Sequence, residues 1–430
     1  MGKRILILTC LMALNLATNL FAQRLTYAQS DKETYELYIS GNWEKLIQKG
    51  KEALRNGIDY YYLRVRMGIA YYYLGKYNLA IKHLRKAHKT NPNDPIVNEF
   101  LLYSHLAMGD LERAFFHYQS LPEHRKTAIP LFNSKLYRLD INALNFFNLD
   151  YSTQASEVAN PVELDKNAFG LFGGYNLSLS RKTYLYQMFF FQRSVSTQWD
   201  LSSNRPTGGM GFGYGGSANN NQTFYPSTVL TYNLRILTIA RVLATRTVSM
   251  SLSNNLGFYD GKVLASLGTS ILSQFSLFSL GIRADYLYYN TSSTLHLGTY
   301  IVLFPLASDK LYFRIEPVVT KTLPLNSFTN LITRVEVGFR IKKTYVSTGY
   351  YFGSIGNYLE DNGYFVYATN RFISNQKFLN VLFVGRKVSF YTTILHSKYD
   401  GVTTPIYNGL LIRTGLIFNL WNSNPKIKKP

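Results

Sequence analysis

Apolar and polar residues alternate along residues 309–343, and a period of two predicts β-strands. The pattern has two arms with a break between them, which indicates one antiparallel hairpin. Pairing the arms about the centre of that break sets Arg314 opposite Glu336 and Glu316 opposite Arg334. One register therefore gathers four charges on one face and leaves the other face apolar.

Two kinds of sheet carry this alternation, and they differ in which face meets water. A soluble sheet buries its apolar face, whereas a membrane barrel turns that face to lipid and its charged face to a lumen. Comparable strands follow one another from about Asp140, separated by turns such as the hairpin dipeptide Asn362-Gly363. We therefore predict an antiparallel transmembrane β-barrel of about 14 strands (roughly 12 to 16) over residues 138–421, followed by a tail at 422–430.

Charged residues that fall between lipid-type neighbours are expected to point into the lumen. These are Arg235, Arg283, Asp285, Arg314, Glu316, Arg334, Glu336, Arg340 and Arg413. From Arg138 onward, 27 Lys and Arg stand against 14 Asp and Glu, a net charge of +13. A basic lumen would attract anionic solutes or polymers. The alternative is that the interior charges neutralise one another and plug the barrel, and the sequence leaves both open.

The chain before residue 130 has helical spacing and repeats every 34 residues. Gly41, Gly75 and Gly109 are separated by that interval, which is the tetratricopeptide period. The segment from Gly68 to Pro92 resembles the signature of the tetratricopeptide repeat family along its whole length. The resemblance implies an α-helical solenoid of about three units over residues 27–130, and so an α+β multidomain chain.

The resemblance also implies a groove, lined by the inner helix of each repeat, that binds a protein partner. Carried over residue by residue, the groove positions are Tyr62, Val65, Ile69, Tyr72, Ile96, Glu99, Tyr103 and Leu106. Repeats that clamp a carboxylate tail carry Lys and Asn where Val65 and Ile69 stand here. That particular role is therefore disfavoured.

The first 22 residues have the pattern of a signal peptide. Lys3 and Arg4 precede an apolar run from Ile5 to Leu16, and Ala22 ends a plausible cleavage site. The only cysteine, Cys10, lies in this segment, so the mature chain is expected to have no disulfide. The net charge of +21 would suit nucleic acid or anionic lipid, but export makes nucleic acid an unlikely partner.

Composition agrees with a barrel and offers little for catalysis. Aromatic residues make up 15% of the chain, as expected for the aromatic girdles of barrel strands. We predict no cofactor, no metal site and no enzymatic activity. A remote alternative is an outer-membrane lipid hydrolase that uses His296 or His396 beside a serine.

The whole arrangement resembles outer-membrane proteins in which periplasmic tetratricopeptide repeats precede a barrel. Examples are the exporters of cellulose and of poly-N-acetylglucosamine, and the shorter YaiO-type barrels. The resemblance implies a Gram-negative outer-membrane location, with the N-terminal domain in the periplasm and outer-membrane lipid around the barrel. We predict that the repeats dock an envelope protein in an assembly or scaffold role. The alternative is an export or diffusion pore for an anionic polysaccharide or solute.

Overall fold

A computed structural model gives the architecture of the chain. It describes residues 26–128, 136–151, 163–201, 217–218, 222–245, 247–259, 261–323, 329–356, 358–360, 365–367, 372–385, 387–400 and 406–420. The signal peptide and the C-terminal tail predicted from the sequence lie outside the described residues.

The N-terminal part consists of helices arranged as successive antiparallel pairs. They are α1 (Tyr27–Ile39), α2 (Trp43–Arg55), α3 (Tyr61–Tyr73), α4 (Tyr77–Thr90), α5 (Pro95–Ala107), α6 (Leu111–Gln119) and α7 (Glu123–Ala128). The glycines spaced by 34 residues occupy the turns between paired helices, with φ of +68° at Gly41, +69° at Gly75 and +72° at Gly109. Glycine adopts this left-handed backbone without steric cost, which explains the repeat.

The remainder of the chain forms a closed antiparallel β-barrel. Its strands are β1 (Leu136–Asn148), β2 (Glu163–Ser178), β3 (Thr183–Leu201), β5 (Gln222–Leu243), β6 (Val248–Tyr259), β7 (Lys262–Gln274), β8 (Phe278–Tyr289), β9 (Ser292–Leu303), β10 (Leu311–Leu323), β11 (Thr329–Ile341), β12 (Thr344–Phe352), β15 (Phe372–Phe383), β16 (Val388–Asp400) and β17 (Tyr407–Asn419). Pairing of β1 with β17 and of β3 with β5 closes a ring of 14 strands. The predicted architecture, a helical region followed by an antiparallel barrel of about 14 strands, is therefore confirmed.

Three short strands lie outside the wall of the barrel. They are β4 (Ser217–Ala218), β13 (Tyr358–Glu360) and β14 (Phe365–Tyr367). Strands β13 and β14 pair only with each other in the described part of the chain. The Asn362-Gly363 dipeptide thus falls between two strands of a separate hairpin, and not between two wall strands.

The wall turns its apolar face outward and its charged face inward. The register pairs Arg314 with Glu336 and Glu316 with Arg334, as the alternation predicts. Glu316, Arg334 and Glu336 are all buried. Outward-facing apolar side chains on the neighbouring strands are exposed, among them Leu252, Leu256, Leu267, Ile282, Leu297, Ile315, Leu331 and Ile341.

The helices cover one end of the barrel, which we call the helix-capped end. The opposite end, the loop end, holds the connections from β1 to β2, β3 to β5 and β12 to β15. The backbone amide of Asn78, at the start of α4, donates to the carbonyl of Ala307 in the β9–β10 turn at 3.0 Å. The arginine of the β2–β3 turn, Arg181, lies 4.2 Å over the ring of Phe116 on α6.

Candidate functional site

The hairpin of β13 and β14 lies inside the barrel and is held by an arginine of the wall. Arg283 donates to the hydroxyl of Tyr358 at 2.7 Å and to the carbonyl oxygen of Leu359 at 2.9 Å. Its guanidinium also lies 3.5 Å from the carboxylate of Glu316. Tyr358 and Leu359 are each 1% exposed. We call this hairpin the luminal plug.

A second arginine ties the luminal plug to the wall through carboxylates. Arg334 makes ion pairs with Glu360 of the plug and, at 2.7 Å, with Glu336 of its own strand. The hydroxyl of Tyr351 donates to Glu360, and the ring of Phe378 lies 4.9 Å below the Arg334 guanidinium. These charged groups are almost completely buried, so each depends on its partner for compensation.

The helix-capped end is closed by the turn between α5 and α6. The carboxylate of Glu112 accepts two hydrogen bonds from Arg241 of β5, at 2.8 and 3.0 Å. Arg113 donates to the carbonyl oxygen of Thr247 at 3.2 Å, and Arg340 donates to the carbonyl oxygen of Ala107 at 3.2 Å. This turn therefore contacts wall residues that are far apart in sequence.

A cavity of about 720 Å³ lies between this turn and the luminal plug. Asp110 and Glu112 line it from the helix-capped end, and Glu360 lines it from the luminal plug. Arg138, Arg241, Arg334 and Arg413 contribute positive charge from the wall. The lumen thus contains a chamber of mixed charge whose two ends are both occupied by protein.

The α5–α6 turn contains a half-buried carboxylate, that of Asp110. Although burial opposes its ionisation, the positive charge of Arg113 and the hydrogen bond with His105 hold the pKa of Asp110 well below its usual range. Burial lowers the pKa of His105, so its imidazole is disposed to stay neutral. Asp110 also accepts a hydrogen bond from the backbone amide of Arg113 at 3.1 Å, which caps α6.

Acid is expected to destabilise the helices through His83. Burial, and then the charge of Arg64, lower the pKa of His83 to about 3. Because the unfolded value is 6.5, the unfolded chain binds the proton first between these two values. The contribution of neutral His83 to the free energy of unfolding is complete above pH 6.5. It falls by about 1.4 kcal/mol per pH unit as the pH drops towards 3.

Urea unfolding followed by the helical circular-dichroism signal over a pH series measures this slope. We expect His83→Asn to remove that part of the slope and His124→Asn, at an exposed position on α7, to leave it unchanged. An equal slope in His83→Asn and in the unsubstituted protein would contradict the assignment.

All nine charged residues expected in the lumen lie on the inward face of their strands. Arg283, Asp285, Glu316, Arg334 and Glu336 are buried, and Arg235, Arg314, Arg340 and Arg413 are half-buried. Ion pairs form along one strand, as between Arg314 and Glu316 at 2.6 Å, and also across one intervening strand, as between Arg283 of β8 and Glu316 of β10 at 3.5 Å. The sequence did not indicate that two of these arginines would hold a luminal hairpin.

The structure separates the eight predicted groove positions into three groups by exposure. Tyr62 and Ile96 are exposed, Val65, Tyr72, Glu99 and Leu106 are half-buried, and Ile69 and Tyr103 are buried. The hydroxyl of Tyr103 donates to Glu99 at 2.8 Å, and Arg125 of α7 pairs with the same carboxylate at 3.0 Å. In this third unit, therefore, Glu99 and Tyr103 make contacts within the module, while Ile96 remains exposed.

The first unit contributes Tyr35 of α1, a groove residue that was not among the predicted positions. Arg66 lies 5.2 Å from the ring of Tyr35 on α1 and 5.9 Å from the ring of Tyr62 on α3. It also pairs with Asp31 at 2.7 Å. Tyr35 stands 34 residues before Ile69, so extending the repeat by one unit would have found it.

The histidines proposed for a hydrolase stand in unfavourable positions. His296 is fully buried and faces the lumen, where its ring meets that of Tyr358 edge-on at 5.7 Å. The strand register places Lys377 and Leu410, and not a serine, beside His396. Within the described ranges, His, Cys, Asp and Glu form no cluster suited to a metal ion. None of the helices that the structure describes is long and apolar enough to span a membrane.

Comparison with known proteins supports the repeat directly. Residues 61–94 match the tetratricopeptide repeat family, which confirms the repeat predicted around Gly68 to Pro92. No curated protein matches the sequence.

Among solved structures, the barrel is similar to a bacterial polysaccharide outer membrane secretin, with 9% identity over 66% of this chain and 98% of that one and a TM-score of 0.37. It is also similar to the KdgM porin in complex with disordered oligogalacturonate, with 8% identity over 44% and 92% of the two chains and a TM-score of 0.30. LpxR from Salmonella typhimurium shows 13% identity over 66% and 100%, with a TM-score of 0.28.

Proposed function

We propose that this protein is an outer-membrane β-barrel that holds its helical repeats in the periplasm, where they dock a protein partner. The support for membrane insertion is the orientation of the wall. Side chains such as Leu252, Leu267 and Leu331 are more than half exposed, while charged groups occupy the interior. Apolar residues on the outside and charges on the inside are the arrangement that a lipid environment favours.

The proposed orientation follows from where the chain enters and leaves the barrel. The helices, the start of β1 and the end of β17 all lie at the helix-capped end. Short turns at this end and longer connections at the other are typical of barrels whose short turns face the periplasm. We therefore assign the helix-capped end to the periplasm and the loop end to the cell exterior.

The observation that carries the docking role is the position of the exposed apolar side chains in the helices. Among residues 26–128, the large exposed ones are Tyr27, Tyr35, Ile39, Tyr62 and Ile96. All five belong to α1, α3 or α5, the inner helices of the three units. Exposed tyrosines bury large area at low entropic cost, so they are well suited to a protein interface.

Photo-crosslinking in intact envelopes tests this role. A photoreactive amino acid at Tyr35 or Tyr62 is expected to give a discrete adduct with another envelope protein, because both side chains project from the inner helices. The matched control positions are Lys82 and Lys89, which are exposed on the outer helix α4. The docking role fails if all four positions give the same adducts or if none gives any.

A pore for an anionic polymer or solute is the second candidate. Five arginines line the chamber, and positive charge favours such ligands. Conduction would require both the luminal plug and the α5–α6 turn to leave the lumen, which makes a docking or scaffold role the better supported proposal. We propose no enzymatic role, because His296 is fully buried and the register places Lys377 and Leu410, and not a serine, beside His396.

A further inference from the structure

The inner surface of the barrel is chemically divided. Strands β8 to β11 carry the buried charges that hold the luminal plug. The strands on the other side, β1 to β3 together with β16 and β17, present apolar side chains to the same lumen. These are Leu144, Phe146, Phe172, Met188, Phe190, Leu395 and Leu411. Apolar side chains that face a lumen filled only with water are unfavourable, so this surface is better explained by an apolar occupant.

These apolar side chains border a second cavity, which lies nearer the loop end than the chamber of mixed charge. Its volume is about 210 Å³. An engineered apolar cavity of about 150 Å³ takes up benzene, so this one admits a ligand of roughly eight to ten carbon atoms. Met188 and Ile373, each 1% exposed, form part of its wall, and so do Phe172 and Leu144. Polar side chains, among them Asn167, Gln192, Ser194, Gln376 and Ser397, also line the cavity, and apolar surface combined with placed polar groups is the usual form of a small-molecule site.

One guanidinium and one carboxylate also line the cavity, and they lie at different depths. Arg235 pairs in the register with Phe190, whereas Asp165 is level with Ser196, six residues further along β3. At about 3.3 Å per residue, the two charges are roughly 20 Å apart along the strands. Asp165 accepts a hydrogen bond from the hydroxyl of Tyr407 at 2.9 Å, near the loop end.

Arg235 is therefore the charged group at the inner part of the cavity. Its guanidinium lies 5.2 Å over the ring of Phe190 and donates to the side-chain oxygen of Asn255 at 3.2 Å. These contacts fix the arginine against the wall beside the apolar surface. An arginine in this setting favours a carboxylate over a neutral hydroxyl group.

We propose that this cavity binds a medium-chain fatty acid, with its carboxylate at Arg235 and its hydrocarbon chain against Phe172, Met188 and Leu144. The site does not depend on the docking role of the helices, and its lining does not include Arg283 or Arg334, the arginines that hold the luminal plug.

Photolabelling of the full-length protein in lipid nanodiscs tests the proposal. A diazirine derivative of decanoic acid is the probe, octanoate is the competitor, and labelled peptides are identified by mass spectrometry. We expect saturable labelling of luminal residues in β1 to β3. Met188→Trp, which fills the cavity, should reduce this labelling about tenfold or more. Phe189→Trp, at the neighbouring lipid-facing position, is the matched control and should leave it unchanged.

The head group is tested separately. In Arg235→Gln, octanoate should compete about tenfold less well, whereas competition by octanol should be unchanged. If Met188→Trp does not fold, as judged by heat-modifiable migration, Ala168→Leu narrows the same cavity with a smaller change in volume. Labelling confined to outward-facing residues, equal loss in Phe189→Trp, or competition only by an octanoyl lysophospholipid would overturn the proposal.

Discussion

Substitution of Arg334 by methionine is expected to lower the free energy of unfolding by about 3–5 kcal/mol. The arginine makes ion pairs with Glu336 and Glu360, and the three side chains are between 5% and 8% exposed. Removing the guanidinium takes away the cation that Glu336 and Glu360 share, and a buried charge that loses its compensation is strongly destabilising. Urea unfolding of the protein folded into liposomes measures the change.

The control for this prediction removes the charges together. In the triple variant Arg334→Met, Glu336→Gln and Glu360→Gln, no buried carboxylate lacks a partner, so most of the lost stability should return. Arg314→Met removes another inward guanidinium, whose ion pair with Glu316 lies on one strand and whose side chain is 20% exposed, and it should cost less. Equal losses in the single and triple variants would show that Arg334 stabilises by packing alone.

The second large effect is expected on the outside of the wall. Leu267→Arg, at the middle of β7, should destabilise the protein by about 2–4 kcal/mol in liposomes, because the arginine would face the centre of the bilayer. Val263→Arg lies on the same strand and face but near the loop end, and it should cost only about 0–1 kcal/mol. Both side chains are exposed, at 55% and 45%.

This pair of variants distinguishes a membrane barrel from a soluble one. Exposed substitutions in water usually change stability by no more than about 0.5 kcal/mol, whatever their position along a strand. A cost that depends on depth therefore requires lipid around the wall. Near-zero effects at both positions would contradict the proposed location, with the same urea titration as the measurement.

The wall of the barrel could be predicted from the sequence because its signal is local. Alternation alone gave the register of Arg314 with Glu336 and of Glu316 with Arg334, and it gave the inward direction of all four. The 34-residue glycine spacing gave the helical repeats for the same reason, since each turn requires its own left-handed residue. Structure of this kind can be predicted from neighbouring residues alone, without information on contacts between distant segments.

The two closures of the lumen could not be predicted, because they depend on contacts between distant segments. Glu112 reaches Arg241, 129 residues later in the chain. In the sequence, Tyr358–Glu360 has the same pattern as a short wall strand. Its pairing with β14 alone shows that it lies outside the wall. The long connection between β12 and β15 was the one available signal, since such connections in compact domains often fold for a purpose.

The pairing of β1 with β17 joins the first and the last strand of the wall. The helices are synthesised before the barrel, and β17 (Tyr407–Asn419) is synthesised after the other wall strands. The edge of β1 therefore stays unpaired until β17 is available. An open edge offers unpaired amide and carbonyl groups to any neighbouring strand and invites aggregation. Correct assembly of the barrel therefore depends on shielding of the edge of β1 until β17 pairs with it.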